Sequence, residues 1–313
     1  TGDLGGANVA YLPIPGIKAM LEFIPQACGN AQHSVHVLTM TNPGYPTPAD
    51  CCANLCNIQH SAIHLHPDNS FRFDPYGFNL LTGQETVMML NYPHNPSGQV
   101  ATEEQLDRLC EYCAKRRIRI FNDAAYAGLA HVDECTTLAN VAVRHPELSW
   151  AEAFSASKII RNGTGWRVGG MVGSLDFIGD LETIKGNRDS GYCAFVAAGV
   201  LEAIRTDKAG IDECRNIYRR RIQLLKEVLG SHNMELAVEP GAGFFTLWKA
   251  PTFAFGQQVE DGEQFNNLMI EKTGVVGVPF GPYIRYAVVG PVEDMHRDLE
   301  IAFDAAEVGY AVE

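Results

Sequence analysis

The chain has 313 residues, enough for about two domains and for a large core without disulfide or metal staples. Hydrophobic residues make up 46% and charged residues 19%, a globular composition that argues against disorder. The net charge is −13, which disfavours nucleic acid as a partner, and the longest apolar candidate for a membrane span, Ala194 to Ile204, is too short and contains Glu202.

Strands and helices alternate for most of the length. Ile17 to Ala27 is expected to form a helix after Pro15-Gly16. Val35 to Met40 is expected as a buried strand, followed by the breaker Asn42-Pro43-Gly44-Tyr45-Pro46. Ala62 to His66 alternates like a strand, and Thr86 to Leu90 is a short apolar run that ends in Asn91-Tyr92-Pro93-His94-Asn95-Pro96-Ser97-Gly98. The clearest helix follows. Thr102 is a good N-cap with Gln105 in the capping-box position, Leu106, Leu109, Cys110 and Cys113 recur at helical spacing, and Lys115, Arg116 and Arg117 complement the dipole at its end. Ile118 to Phe121 and Ala151 to Phe154 read as further strands. Such alternation implies an α/β fold with a mainly parallel sheet sandwiched by helices.

The pattern changes after about residue 208. A helix from Ile211 to Leu229 carries a basic stripe through Arg215, Arg219, Arg220 and Arg221. Strands Phe244 to Lys249 and Tyr283 to Val289 then mix with helices Glu263 to Lys272 and Val292 to Ala306. The expected organisation is a large domain over residues 1–210 and a smaller C-terminal α+β domain over 211–313. Nine cysteines, an odd number without a compact framework, and no secretory pattern lead us to expect a reducing compartment, the cytoplasm. Cys110 and Cys113 form a CxxC without a second pair, better suited to one face of a helix than to zinc.

Four local signals occur in order. Asn95-Pro96-Ser97-Gly98 follows a strand and by itself is a turn. Asp123, in Asn122-Asp123-Ala124-Ala125-Tyr126, stands at a strand's carboxyl end, where parallel sheets bind ligands; it is either a buried acid facing a cation or a helix cap. Lys158, in Ser155-Ala156-Ser157-Lys158, also stands at a strand end. A buried lysine loses its proton more easily, and a neutral amine can form a Schiff base with an aldehyde. Gly163-Thr164-Gly165-Trp166-Arg167-Val168-Gly169-Gly170 has the wrong spacing for a dinucleotide loop, and is better read as close backbone approach plus an anion contact.

Taken together, these motifs resemble the class I/II aminotransferases, pyridoxal-phosphate enzymes of fold type I. The resemblance runs from about Pro13 to the C-terminus. It implies that Lys158 holds pyridoxal 5'-phosphate as a Schiff base and moves the substrate's proton. It implies that Asp123 pairs with the pyridine nitrogen, that Asn95 and Tyr126 donate to the ring's phenolate oxygen, and that Ser155, Ser157 and Arg167 bind the phosphate. Gly16-Ile17-Lys18 would add helix-start N–H groups to the phosphate, and Tyr45 would stack on the ring. Arg285, in Gly281-Pro282-Tyr283-Ile284-Arg285-Tyr286, would clamp the substrate α-carboxylate by a two-bonded fork, with Asn95 and Tyr45 beside it.

The segment Lys185-Gly186-Asn187-Arg188-Asp189-Ser190-Gly191 is similar to one in the LL-diaminopimelate aminotransferases, and by that resemblance Asn187 and Ser190 would lie near the cofactor. The activity implied is amino transfer between an amino acid and a 2-oxo acid, of LL-diaminopimelate or aspartate/glutamate type, by a homodimer. The same scaffold also carries C–S or β-elimination lyases and decarboxylases, and a non-catalytic pyridoxal-phosphate-binding domain is the reading from a different class.

The sequence departs from the family in three places, one of which is the short loop before Arg285, expected to leave the pocket's outer wall open or supplied differently. Only Thr1 to Pro15 precede the phosphate-binding turn, where the family carries a substantial segment, so a fragment or processed form is expected. Lys158 and Arg167 are nine positions apart, one more than usual, so the intervening loop must bulge. His60, His64 and His66 suggest a metal only weakly: His64 and His66 would share one strand face with His60 outside it, and no metal is expected.

Overall fold

A computed structural model describes residues 4, 7–74, 85–159, 163–189 and 191–311. In chain order the elements are β1 (Val9–Ile14), α1 (Phe23–Ala27), β2 (Val35–Asn42), α2 (Thr47–Ala53), β3 (Ile58–His64), β4 (Glu85–Leu90) and α3 (Glu103–Arg116). They continue with β5 (Arg119–Asp123), α4 (Leu138–Ala142), β6 (Trp150–Ser155), α5 (Ala156–Ile159), β7 (Gly169–Ser174), α6 (Leu175–Gly186), α7 (Ala194–Thr206) and α8 (Lys208–Ser231). The C-terminal elements are β8 (Phe245–Lys249), β9 (Phe253–Ala254), β10 (Gln257–Gln258), α9 (Gly262–Thr273), β11 (Val278–Phe280), β12 (Tyr283–Ala287) and α10 (Val292–Ala306).

The architecture is α/β. Seven strands form one sheet in the order β1-β7-β6-β5-β4-β2-β3. Strands β6, β5, β4, β2 and β3 are mutually parallel, whereas β7 is antiparallel to both β6 and β1. Period-two alternation divides the strand residues between two buried faces. Leu38, Met88, Leu90 and Ile120 pack with Leu106, Leu109, Cys110 and Cys113 of α3. Val37, Val87, Met89 and Phe121 pack on the other face with Ile24 of α1 and Phe177 and Leu181 of α6. Cys110 and Cys113 are thus buried thiols on one helix face.

The capping box is formed as expected: Thr102 Oγ1 accepts from the Gln105 N–H, and Gln105 Oε1 accepts from the Thr102 N–H. A third core joins Ile222, Leu225 and Leu229 of α8 to Phe265, Ile284, Leu299 and Phe303 around the antiparallel sheet β11-β12-β8. The stretch leading into β8 is pinned beside the central sheet: the Gly241 N–H donates to the Gly98 carbonyl (2.9 Å) and the Gly243 N–H to the Leu129 carbonyl (3.0 Å).

Three expectations are corrected. Ile17 to Ala27 is not one helix but a 3-10 turn over Lys18–Met20 followed by α1. Pro25 has no N–H and is tolerated only in a helix's first turn, so the α-helical stretch begins at Phe23. The strand expected at Ala62 to His66 is β3, which begins four residues earlier and ends at His64, because its register is set by parallel pairing with β2 (Val35 opposite Ile58). His60 and His64 therefore lie within the strand and His66 outside it, preceding the Pro67–Asn69 turn. Finally, β1 and β7 were not expected.

Candidate active site

The parallel topology determines where the site forms. Because β6, β5, β4 and β2 are neighbours, the loops leaving their carboxyl ends lie side by side. Those ends carry Tyr45 after β2, Asn91 and Asn95 after β4, Asp123 as the last residue of β5 with Tyr126 beyond it, and Ser155 as the last residue of β6 with Ser157 and Lys158 following on α5. A cavity of about 540 Å³ opens there, lined by Ile17, Lys18, Tyr45, Asn91, Asn95, Asp123, Tyr126, Ser155, Ser157, Lys158, Thr164 and Arg167 among others. Residues far apart in sequence and singled out as candidates thus meet in one place.

Asp123 is 8% exposed. Burial pushes its carboxyl up to about 6, opposed by the Ala125 N–H (3.1 Å from Oδ1) and by the charge of Lys158. Lys158 is half-buried, with Nζ 5.8 Å from the centre of the Tyr126 ring and 5.4 Å from that of Phe244. Desolvation lowers its ammonium below the usual lysine value, Arg285 and Arg167 lower it further, and Asp123 pulls the other way. Tyr126 is pushed up to about 12, chiefly by burial, so its phenol stays a hydrogen-bond donor at neutral pH.

Elsewhere in the lining, Ser157 Oγ is buried without a partner among the described residues, and the Ser157 N–H donates to Ser155 Oγ (3.2 Å). Arg167 lies across Gly16. Gly16 has φ +88°, a conformation that favours glycine, and a Cβ there would stand 2.3 Å from Arg167 Nη2, so the guanidinium keeps this seat only while residue 16 is glycine. The extra residue between Lys158 and Arg167 does not prevent convergence. Gly165 (φ 93°) and Arg167 (φ 55°) turn the chain back, and Thr164 Oγ1 donates to the Ser157 carbonyl (2.9 Å). Residues 160–162 of that loop lie outside the described ones.

Arg285, on β12, does not line the cavity but reaches its rim. Its Nη1 donates to Asn95 Oδ1 (2.6 Å), and its guanidinium stands 5.3 Å from the centre of the Phe245 ring. The Tyr45 N–H donates to the Asn95 carbonyl (3.1 Å), which ties the Tyr45 loop to the Asn95 loop. Asn187 is not brought to the cavity. It caps α6, and its Nδ2 donates to the Thr183 carbonyl (2.9 Å); Ser190 lies outside the described residues. Among the described residues, no three His, Cys, Asp or Glu side chains are grouped to hold a metal ion.

Sequence reasoning missed Asn91, Thr164 and Phe244 as site residues. Asn91 was findable, since it stands directly beyond the carboxyl end of β4, but a polar residue opening a proline-rich turn passes as ordinary turn chemistry.

The family model for aminotransferase class I and II matches residues 6–295. The LL-diaminopimelate aminotransferase of Desulforudis audaxviator is 30% identical over 251 residues, covering 80% of this chain and 62% of that protein. Its counterpart in Nitratidesulfovibrio vulgaris is 31% identical over 265 residues, 84% of this chain and 65% of that one. The chain therefore spans somewhat less than two thirds of the length of these relatives. Substrate-bound BacF from Bacillus subtilis superposes with a TM-score of 0.83 at 21% identity, covering 97% of this chain and 76% of the other. A probable N-succinyldiaminopimelate aminotransferase from Thermus thermophilus superposes with a TM-score of 0.78 at 24% identity, covering 94% and 77%.

Proposed function

The chain belongs to the aminotransferase class I and II family, and from that premise we propose that it is a pyridoxal-phosphate-dependent aminotransferase, moving an amino group between an amino acid and a 2-oxo acid. The observation that carries the reading is the convergence of Lys158 and Asp123 on one cavity, each with its ionisation shifted by burial. The residues present fit the cofactor. The cavity has the volume of a small-molecule site, which runs to roughly 300–1,000 Å³. One end offers an anion the Ser157 hydroxyl, without a partner among the described residues, and the Arg167 guanidinium seated on Gly16. The other offers a buried carboxylate that suits a protonated ring nitrogen.

Bound pyridoxal phosphate supplies an electron sink for negative charge at the substrate α-carbon. The chain's own residues do the rest. The lowered affinity of Lys158 for its proton leaves more of its amine neutral, able to bond to an aldehyde and to take the α-proton. Asp123, once facing a cationic ring nitrogen, holds its negative charge and keeps that nitrogen protonated. Tyr126 keeps its phenolic proton and can donate it in a hydrogen bond. Arg285 offers its fork to a carboxylate while Asn95 fixes one arm.

LL-diaminopimelate is the first substrate to try, since both relatives carry that name, and aspartate or glutamate type donors come next. We place the division between the cofactor-binding region and the C-terminal one near residue 210. We also propose a homodimer, since α7 exposes Phe195 (82%) and Leu201 (53%) beside Tyr192 and Trp166, an apolar face that favours burial against another surface. All nine thiols are free, which suits the cytoplasm. No helix among the described residues is long and apolar enough to cross a membrane.

The test is a visible absorption spectrum with pyridoxal phosphate. A band should appear, disappear on adding the amino donor alone, and return on adding a 2-oxo acid. Lys158→Ala should keep bound cofactor and lose turnover; near-normal multiple turnover in that variant refutes the assignment. Ammonia and pyruvate released without a 2-oxo acid acceptor would point instead to elimination.

A further inference from the structure

We propose that Asn91 is a positioning residue whose side-chain amide sets the separation of Asp123 and Asn95; the proposal rests on the reading of the cavity given above. Asn91 is the first residue beyond β4 and is 9% exposed. Its Nδ2 donates to the backbone carbonyl of Asp123 (2.9 Å), across to the end of the neighbouring strand. Its Oδ1 accepts from the backbone N–H of Asn95 (2.9 Å), in its own loop. One primary amide therefore bridges the two residues that would meet different atoms of the cofactor ring. Through Asn95 Oδ1, which holds Arg285 Nη1 at 2.6 Å, the same bridge extends to the carboxylate-binding arginine.

The bridge needs both halves of the amide. Aspartate keeps the acceptor for Asn95 but loses the donor for Asp123, and alanine loses both. Both partners are backbone groups, so the side chain fixes the positions of main-chain segments, and a site tolerates only about 0.5 Å of looseness.

The neighbouring amide provides the contrast. Asn122 Oδ1 accepts from the Tyr92 N–H (2.9 Å), and its Nδ2 donates to the Tyr92 carbonyl (3.0 Å) and to Glu152 Oε1 (2.8 Å). Glu152 in turn accepts from the Leu138 and Ala139 N–H groups at the start of α4 (both 2.9 Å). Asn122 and Glu152 are buried and do not line the cavity. They tie β4, β5, β6 and α4 together behind it. Two asparagines at adjacent strand ends thus divide the work, Asn122 holding the scaffold and Asn91 spacing the site.

The experiment compares full-length wild type with Asn91→Ala, Asn91→Asp and Asn122→Ala. Three quantities are read: the unfolding temperature without cofactor, the dissociation constant for pyridoxal phosphate by visible absorbance, and the pH midpoint of the bound absorbance. Both Asn91 variants should bind about tenfold more weakly, equivalent to about 1.4 kcal/mol, and move the midpoint by about half a unit or more. Asn122→Ala should lower the unfolding temperature and leave both cofactor readouts within about threefold of wild type. If Asn91→Ala fails to fold, Asn91→Asp carries the comparison. Asn91 variants with wild-type affinity and midpoint overturn the proposal, as does an equal change in Asn122→Ala. Wild type that gives no absorbance with the cofactor overturns the cofactor reading and this proposal with it; normal wild-type binding beside unaltered variants overturns this proposal alone.

Discussion

Asp123→Asn should stabilise the cofactor-free protein at neutral pH while weakening the function that Asp123 is read to serve. The carboxyl is 8% exposed, and burial raises it from 3.8 to about 6. The native state therefore holds the proton more tightly than the unfolded chain does. Between about pH 4 and 6 the folded form carries more bound proton, so stability falls as pH rises through that window and the loss is complete above it. The shift is about two units, worth on the order of 3 kcal/mol. Asparagine keeps an oxygen to accept from the Ala125 N–H, now 3.1 Å from Asp123 Oδ1, and removes the buried charge. For a chain of this size the gain corresponds to roughly 5 °C at pH 7. Scanning calorimetry of both proteins without cofactor, at pH 4 and pH 7, reads it directly. The variant should melt higher at pH 7 and close to wild type at pH 4. With pyridoxal phosphate the order should reverse, because the carboxylate then faces a cation. An equal difference at both pH values, or none at pH 7, would refute the account of Asp123 as a destabilised buried acid awaiting a positive partner.

Two further substitutions test the ends of the cavity. Gly16→Ala places a Cβ 2.3 Å from Arg167 Nη2 at φ +88°, costing the fold only about 1–2 kcal/mol because the guanidinium can swing away. Losing its charge-assisted bonds should weaken pyridoxal phosphate binding by tenfold or more by titration calorimetry, and in an Arg167→Ala background the same change should add nothing; full additivity would refute the seat assigned to Gly16. Arg285→Lys keeps the charge and loses the fork, so kcat/KM for the amino donor should fall roughly 10- to 100-fold with cofactor affinity little changed. An unaltered kcat/KM would remove Arg285 from the substrate site.

The parallel core was legible because its strands are short apolar runs ending in residues that suit no interior. An aspartate and a lysine at the carboxyl ends of two such strands are unusual enough to be noticed. Topology then brings them together, since β6, β5, β4 and β2 are neighbours. Helix α3 was legible from its capping box and apolar spacing, and α10 begins and ends at the expected residues although no side chain caps its start. Strand β7 was not. Its sequence, Gly-Gly-Met-Val-Gly-Ser, has little β-propensity, and tertiary contact selects it: a Cβ at Gly169 would stand 2.3 Å from the Phe154 carbonyl, and one at Gly173 2.3 Å from that of Trp150. Glycine is there for close packing between strands, and composition alone assigns such a stretch to a loop.

Asn91 illustrates a different limit. Lys158 and Asp123 act through side-chain chemistry that few residue types supply, so their identity at a strand end carries information. Asn91 acts through two backbone groups, one of them 32 positions away in sequence. Any turn accepts an asparagine, and nothing local distinguishes one that caps its own loop from one that spans to the next strand. The residues that perform chemistry are chosen for their functional groups and can be read from sequence. Those that hold them apart are chosen for reach, and reach is a property of the folded sheet.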